Sequence, residues 1–196
     1  MRFLIFLIKR SNSFIFKTYN CILFFIFKVD IKPGWKVRGF MYLLNHGKIC
    51  IGEKFKANSS KYSNPIGGDS NLSMVVRQGA SLNIGDNTGI SNSTIVCWNS
   101  ITIGNHVLIG GNCKIWDTDF HSLDAVIRTG GNDNQTKTSP IIIKDYVFIG
   151  SGTIILKGVT IGNNTIVGAG SVVSKNIPDN EIWAGNPACF IKRNKK

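Results

Sequence analysis

The chain has 196 residues, 43% of them hydrophobic, which is the size and composition of one globular domain with a hydrophobic core. Its formal charge of +12 is concentrated near the amino terminus, since residues 1–61 hold 12 Lys and Arg against 2 acidic residues, whereas residues 62–196 hold 11 against 9. A nucleic-acid-binding protein is expected to carry an even basic coat or a basic groove interleaved with aromatic residues, so we expect no nucleic-acid partner.

Residues 1–48 form a basic, Phe-rich segment that we treat as separate from the rest of the chain. Its apolar runs, Phe3–Ile8, Phe14–Phe16 and Ile22–Phe27, are far shorter than the roughly 20 residues of a membrane-spanning helix. The first run is also too short for a signal peptide, so we expect the segment to be retained. Two interpretations stay open: it packs against the main fold or a neighbouring subunit, or it contacts an anionic membrane surface.

The five cysteines are widely spaced and include no Cys-x-x-Cys pair. This pattern predicts neither a disulfide framework nor a zinc cluster, so we expect no metal and mostly buried, reduced thiols. Such thiols are typical of a cytoplasmic protein, and the basic segment would suit a place at the inner face of the cytoplasmic membrane. The cysteines are Cys21, Cys50, Cys97, Cys113 and Cys189.

An aliphatic residue recurs at every sixth position in the second half of the chain. A six-residue period fits neither an α-helix, whose faces repeat every 3.6 residues, nor a simple strand, whose faces repeat every 2. Short extended segments, each followed by a turn, would produce it, and "IGDN", "IGNH" and "IGNN" supply turn residues. One repeat has no core of its own, so successive coils must stack. The repeated positions are Ile84, Ile90 and Val96, then Ile103, Ile109 and Ile115, then Ile143, Ile149, Ile155, Ile161, Val167 and Val173.

The units "IGSGTI", "IGNNTI" and "VGAGSV" resemble the hexapeptide repeat of the left-handed parallel β-helix acyltransferases. The closing stretch "NIPDNEIWAGNPACFIKR" resembles the end of the same family, and the resemblance covers roughly residues 75–193. It implies an all-β fold, a left-handed parallel β-helix over residues 49–193 with a protruding loop and a short C-terminal tail or helix. It also implies a homotrimer.

The repeat is lost after Ile115 and resumes at Ile143, which predicts a protruding loop over residues 122–142. A polar, Gly-rich interruption of this length seldom occurs in a compact fold without a function. Just before it, "IWDTDFHSLD" places Asp117, Asp119 and His121 two residues apart, so an extended chain would put them on one face. A histidine oriented by a carboxylate is a typical general base. Taken alone, the histidine is also compatible with a surface ion pair.

The resemblance assigns roles to particular residues. In the family's sugar O-acetyltransferases the general base is a histidine at the start of the protruding loop, which implies His121. An asparagine one coil earlier, here Asn92, assists the acceptor. Ser122 stands where the family often has proline. The residues implied for acetyl-CoA are Ser151 near the thioester, Ala169 and Gly170 along the pantetheine arm, and Ser174, Lys175, Lys192 and Arg193 toward the nucleotide.

We therefore expect an acetyl-CoA-dependent O-acetyltransferase that acts on a glycan or a lipid-linked sugar precursor, as in surface-polysaccharide biosynthesis. An N-acetyltransferase of a nucleotide-linked amino sugar, or a xenobiotic acetyltransferase, is the alternative. A γ-class carbonic anhydrase is disfavoured because His46, His106 and His121 lack that family's spacing. A non-catalytic β-helix would need a flat, regular face, which the long polar interruption would spoil.

Overall fold

The computed structural model describes residues 2–130 and 136–195, and for residues 2–13 it describes the backbone alone. Two α-helices, a short 3₁₀ turn and twenty strands form the regular structure of this part of the chain. The helices are α1 (Arg2–Ile26) and α2 (Ala125–Thr129), and the 3₁₀ turn is Pro65–Gly67.

The strands form three sheets, and up to β18 each strand pairs in parallel with the strand three positions along the chain. The first sheet holds β1 (Asp30–Ile31), β4 (Lys48–Ile51), β7 (Ser81–Ile84), β10 (Ser100–Ile103), β13 (Ile141–Ile143) and β16 (Thr160–Ile161). The second holds β2 (Lys36–Gly39), β5 (Lys56–Ser59), β8 (Gly89–Ser91), β11 (Leu108–Ile109), β14 (Phe148–Ile149), β17 (Ile166–Val167), β19 (Glu181–Ala184) and β20 (Cys189–Arg193). The third holds β3 (Tyr42–Asn45), β6 (Ser73–Val76), β9 (Thr94–Cys97), β12 (Lys114–Trp116), β15 (Ile154–Ile155) and β18 (Val172–Val173).

This arrangement is a three-sided left-handed parallel β-helix, and the predicted fold class is confirmed. The predicted C-terminal tail or helix is a strand, because β20 turns back antiparallel to β19. The aliphatic residues of the repeat fill the core, except that Ile95 is buried in place of the predicted Val96. Ile84, Ile103, Ile143 and Ile161 lie in register in the first sheet, each at most 3% exposed. Burying one such side chain contributes about 1.5–3 kcal/mol, so the stack of coils supplies the core that one repeat lacks.

The first corner, between the first and second sheets, is held by a ladder of Asn and Asp side chains. The amide of Asn105 donates to Asp145 Oδ1 at 2.7 Å, Asp145 N to Asn163 Oδ1 at 3.2 Å, and Asn163 N to Asp179 Oδ1 at 2.8 Å. The next residue of each of these turns adopts a left-handed conformation, as Asn164 does at φ 53°. This explains why Asn and Asp recur after the Ile-Gly pairs.

The first coil begins earlier than the boundary predicted between residues 48 and 49, because β1, β2 and β3 all precede it. The helix α1 covers this end of the prism: Phe24 is buried and packs edge-on against Trp35, with ring centroids 5.1 Å apart. The Asn20 side chain donates to Gly39 O at 2.9 Å and accepts from Met41 N at 3.3 Å. In the described part of the chain, no helix is long and apolar enough to cross a membrane.

Candidate active site

The loop that interrupts the repeat leaves the third corner, between the third and first sheets, after β12. Its two ends are held together by an antiparallel bridge between Thr118 and Thr138 and by a bond from Asp119 N to Lys137 O at 3.0 Å. Residues 131–135 of the predicted loop 122–142 lie outside the described residues, and β13 begins at Ile141, inside the predicted range. The base of the loop is therefore anchored to the rigid prism.

His121 lies at the foot of this loop, where its side chain is exposed. Phe120, before it, has a left-handed backbone (φ 63°), and its ring packs edge-on against Trp98 with centroids 5.6 Å apart. Ser122, after it, is buried, and its carbonyl accepts from Arg128 at 2.9 Å. Both neighbours of His121 are thus held in place, while its imidazole lies at the surface.

Asp117 points into the preceding coil and binds a turn there. Its side chain is fully buried, and its two oxygens accept from Trp98 N at 2.7 Å and Asn99 N at 2.8 Å. Asp119 points the other way, toward the following coil. The predicted shared face of Asp117, Asp119 and His121 does not form, because the chain bends at Asp117 and turns at Phe120. These contacts give Asp117 a structural partner instead of the predicted catalytic one.

Asp119 is the carboxylate of the pair that stays near the surface. Its Oδ1 lies 3.4 Å from Lys157 Nζ, and the two side chains are 23% and 27% exposed. Its Oδ2 is buried and has no hydrogen-bond partner within the described residues. A half-buried carboxylate with one unsatisfied oxygen, two residues from His121, can accept a further hydrogen bond.

The thiol of Cys97 also contacts Asp117, at 3.6 Å from Oδ2. Burial, with the neighbouring Asp117 carboxylate, raises the pKa of Cys97 to about 12. The thiol therefore stays protonated at neutral pH and is not a nucleophile in this site.

Asn92 lies at the second corner, between the second and third sheets, and is fully buried. Its backbone is left-handed (φ 42°), and its side-chain Nδ2 donates to Ser70 O at 2.8 Å. Its Oδ1 has no partner among the residues described. Within one chain Asn92 and His121 lie at opposite ends of the strands of the third sheet, and a four-residue strand is about 13 Å long.

Three of the residues implied for the donor lie together at this second corner. Ser151 and Gly170 are in successive coils, joined by a bond from Gly170 N to Ser151 O at 2.8 Å, and Ala169 precedes Gly170. In the described residues no acceptor is found for the amides of Ser151 and Ala169. A methyl group added at Gly170 would meet nothing within 4 Å. The corner is an open ledge of peptide groups, which suits an extended amide-containing ligand.

The other implied donor residues lie elsewhere on the chain. Ser174 and Lys175 are exposed at the third corner, after β18. Lys192 and Arg193 are exposed on β20, opposite Ile182 and Glu181 toward the first corner. One chain therefore brings Ser151, Ala169 and Gly170 together but does not bring these four residues to them.

The contacts also add residues that the sequence pattern did not indicate. Lys157 pairs with Asp119, and Ser70 holds Asn92 from an insertion over residues 60–72. The six-residue repeat does not indicate either contact. Asp119, the partner of Lys157, and Ser70 itself both lie where the repeat is interrupted by segments of irregular length. In the part of the chain that the structure describes, no three His, Cys, Asp or Glu side chains are grouped to bind a metal ion.

Comparison with known proteins shows the family to which the chain belongs. The family model "Bacterial transferase hexapeptide (six repeats)" matches residues 140–175. The chain is 34% identical over 165 residues to the galactoside O-acetyltransferase of Escherichia coli K12, an alignment that covers 82% of this chain and 79% of the enzyme. The chain belongs to the hexapeptide-repeat transferase family.

Two further relatives support this membership of the hexapeptide-repeat family. The galactoside O-acetyltransferase of Lactococcus lactis is 42% identical over 102 residues, which are 52% of this chain and 47% of that enzyme. The chain thus spans about half the length of this relative. A hexapeptide-repeat acetyltransferase of Vibrio cholerae, solved with acetyl-CoA, is 29% identical, with a TM-score of 0.54 over 80% of this chain and 72% of that chain.

Proposed function

We propose that this protein transfers the acetyl group of acetyl-CoA to a hydroxyl of a glycan or a lipid-linked sugar precursor, as in surface-polysaccharide biosynthesis. The observation that carries this proposal is the 34% identity to a galactoside O-acetyltransferase across about four fifths of both chains. The exposed His121 on an anchored loop supports it, since a general base has to reach the acceptor.

His121 acts as the general base. Its neutral imidazole takes the proton of the acceptor hydroxyl as that oxygen attacks the thioester carbonyl. When the tetrahedral intermediate collapses, the carbon–sulfur bond breaks, and the imidazolium returns the proton to the leaving thiolate. The products are the acetyl ester and CoA. Asp119, with its unsatisfied oxygen two residues away, stabilises the charged imidazole.

The ledge at the second corner is the site we propose for the donor. The Ser151 amide donates to the oxygen that becomes negative in the intermediate, and the peptide groups at Ala169 and Gly170 bind the pantetheine arm. Donors of this kind contribute about 10²–10³-fold to the rate in other acyl-transfer enzymes. Lys175, Lys192 and Arg193 neutralise phosphates.

The site is completed by two copies of the chain. His121 lies at the third corner and the donor ledge at the second, so one chain cannot bring them to the same acetyl group. We propose a cyclic homotrimer in which the third corner of one copy lies beside the second corner of the next. This arrangement would account both for the predicted trimer and for the separation, within one chain, of the residues implied for acetyl-CoA.

The test compares wild type, His121→Ala and the matched control His106→Ala. His106 lies at the first corner, stacked on Tyr146 with centroids 4.9 Å apart. The proteins are incubated with acetyl-CoA and a panel of glycans and lipid-linked sugars, and thiol release and acceptor mass are followed. We expect His121→Ala to lose at least a hundred-fold in rate and His106→Ala to keep activity.

Two results would contradict the proposal. Equal acceptor-dependent thiol release by wild type and His121→Ala would show that His121 is not the general base. Failure of the wild type to bind acetyl-CoA in calorimetry would show that acetyl-CoA is not the acyl donor. Loss of the product's acetyl group in mild alkali identifies an ester, and its survival would instead identify an N-acetyltransferase.

A further inference from the structure

The helix α1 turns an apolar face away from the body of the protein. Its buried side carries Asn20 and Phe24, which are 0% and 5% exposed. Most side chains on the opposite side of the helix, at 100° per residue, are apolar and open to solvent, and the exposed Thr18 is a polar residue among them. These are Phe14 at 73%, Ile15 at 48%, Ile22 at 52%, Phe25 at 84% and Ile26 at 59% exposed. We call these five residues the apolar stripe.

The apolar stripe lies at the most basic end of the molecule. A β-helix places its coils in sequence order along one axis, so the charge of residues 1–61, with 12 Lys and Arg against 2 acidic residues, collects on α1 and the first two coils. Residues 62–196, with 11 against 9, make the rest of the prism nearly neutral.

Several basic residues at this end lie close enough to one another to repel. Lys36 and Lys56 lie directly opposite each other in adjacent strands, and Arg38 lies on the same outer face, beside a groove of about 530 Å³. Like charges in register destabilise a sheet. Within the described residues none of these three forms a salt bridge, although Lys32 pairs with Asp30 at 3.4 Å. Violations of a local rule are expected at functional sites, and an anionic partner would offset this repulsion.

We infer that this end of the protein docks on an anionic lipid bilayer. The apolar stripe enters the boundary between headgroups and acyl chains, with α1 parallel to the surface, while Lys17, Lys36 and Lys56 contact acidic headgroups. A second copy of the chain is a poorer occupant, because joining two copies through α1 would bring two strongly basic ends together. This inference goes beyond the proposed function and does not depend on it.

The test is flotation of the purified full-length protein with vesicles of phosphatidylcholine alone or with 30% phosphatidylglycerol. We expect at least ten-fold more binding to the anionic vesicles, and most of it lost in 0.5 M salt. The double variant Ile22→Ser, Phe25→Ser is expected to lose binding at least ten-fold. The matched control is Tyr62→Ser, which removes an aromatic residue that is 91% exposed and lies outside α1 in the sequence.

The charges are tested separately with Lys36→Gln, Lys56→Gln, against Lys114→Gln, Lys195→Gln as the control pair. We expect the first pair alone to weaken binding to anionic vesicles. Circular dichroism and acetyl transfer to a soluble acceptor report whether each variant is folded and active, independently of the membrane.

Either of two outcomes would overturn the inference. One is that the wild type fails to float with anionic vesicles, or floats equally well after the stripe is changed. The other is that sedimentation shows the wild type as a pair of assemblies that Ile22→Ser, Phe25→Ser separates, which would assign the stripe to a second copy of the chain.

Discussion

Asp117 and Asp119 are two residues apart, yet they belong to different parts of the structure. The sequence places both beside His121, and only the contacts separate them: Asp117 binds the amides of Trp98 and Asn99, and Asp119 reaches Lys157. The chain bends at Asp117 and takes a left-handed turn at Phe120, a conformation that sequence does not predict for an aromatic residue. The role proposed for His121 could be predicted from the repeat break together with the family resemblance, but the choice between the two carboxylates could not.

Replacing Asp117 by Asn should destabilise the fold. The Asn side chain presents an NH₂ group to one of two amides that now donate to the carboxylate at 2.7 and 2.8 Å. Leaving a buried donor unsatisfied costs about 1–3 kcal/mol. We expect a loss of this size in the free energy of unfolding, measured by denaturant titration.

The matched control is Asp124→Asn, which changes another carboxylate that accepts two amides, from Val126 at 2.8 Å and Ile127 at 3.2 Å. Asn caps a helix about as well as Asp, so little change is expected. If Asp117→Asn kept full stability and lost activity, Asp117 would return to the catalytic role that the sequence suggested.

At the scale of the element, the turns of the first corner depend on close approach between coils. A methyl group at Gly104 would lie 2.4 Å from Asp145 Oδ1, the oxygen that accepts from Asn105 N in the ladder. Gly104→Ala should therefore destabilise the protein by about 1–3 kcal/mol, the usual cost of overpacking.

Gly89→Ala serves as the comparison for Gly104→Ala, because its methyl would meet only the flexible end of Leu108 at 3.1 Å. Thermal or denaturant unfolding should show the first variant well below wild type and the second close to it. Similar values for both would mean that the ladder does not depend on the spacing at Gly104.

The last carboxylate of this ladder makes stability depend on pH. The side-chain hydrogen bond from Asn163 lowers the pKa of Asp179 below its ordinary value of 3.8. A carboxyl group whose pKa is lower in the folded state stabilises the fold above its unfolded pKa, and the contribution is lost as pH falls through the folded pKa.

Asp179→Asn should accordingly flatten the fall in stability between about pH 5 and pH 2. Because Asp179 is exposed, the effect is expected to be small and to shrink in salt. The check is the midpoint of urea unfolding at several pH values for both proteins. Parallel curves over that range would contradict it.

The first two coils show a repeat that was present in the sequence. Ile31, Val37, Leu43, Ile49 and Phe55 keep the same six-residue step, and all but Ile31 are at most 5% exposed. The lysines on the outer face of these strands gave the segment its basic composition and hid the repeat. The position of α1 across the end of the prism could not be predicted, because it depends on contacts such as Phe24 with Trp35.

At the scale of the whole molecule, the proposed site should be shared between copies. His121→Ala and Ala169→Trp each remove one half of it, the base at the third corner or the donor ledge at the second, and both residues are exposed, so folding should survive. Co-assembly of the two inactive variants in equal amounts should restore about a quarter of wild-type activity, since that share of the cyclic interfaces carries both intact halves.

Native mass spectrometry of the co-expressed, differently tagged variants would confirm that mixed assemblies form. Activity that stays at the level of the single variants in such mixtures would mean that each chain holds a complete site.

Because the coils stack at a regular spacing, the number of coils fixes the distance between His121 and the end of the protein that α1 covers. The loop with His121 leaves the fourth coil, three steps of about 4.8 Å from the coil that α1 covers. Adding a helix diameter of about 10 Å places the base about 25 Å from the apolar stripe. On a bilayer, a sugar joined directly to its lipid would lie too low to be acetylated. Residues several units farther along a growing glycan would come level with the base, so the number of coils would select which sugar is modified.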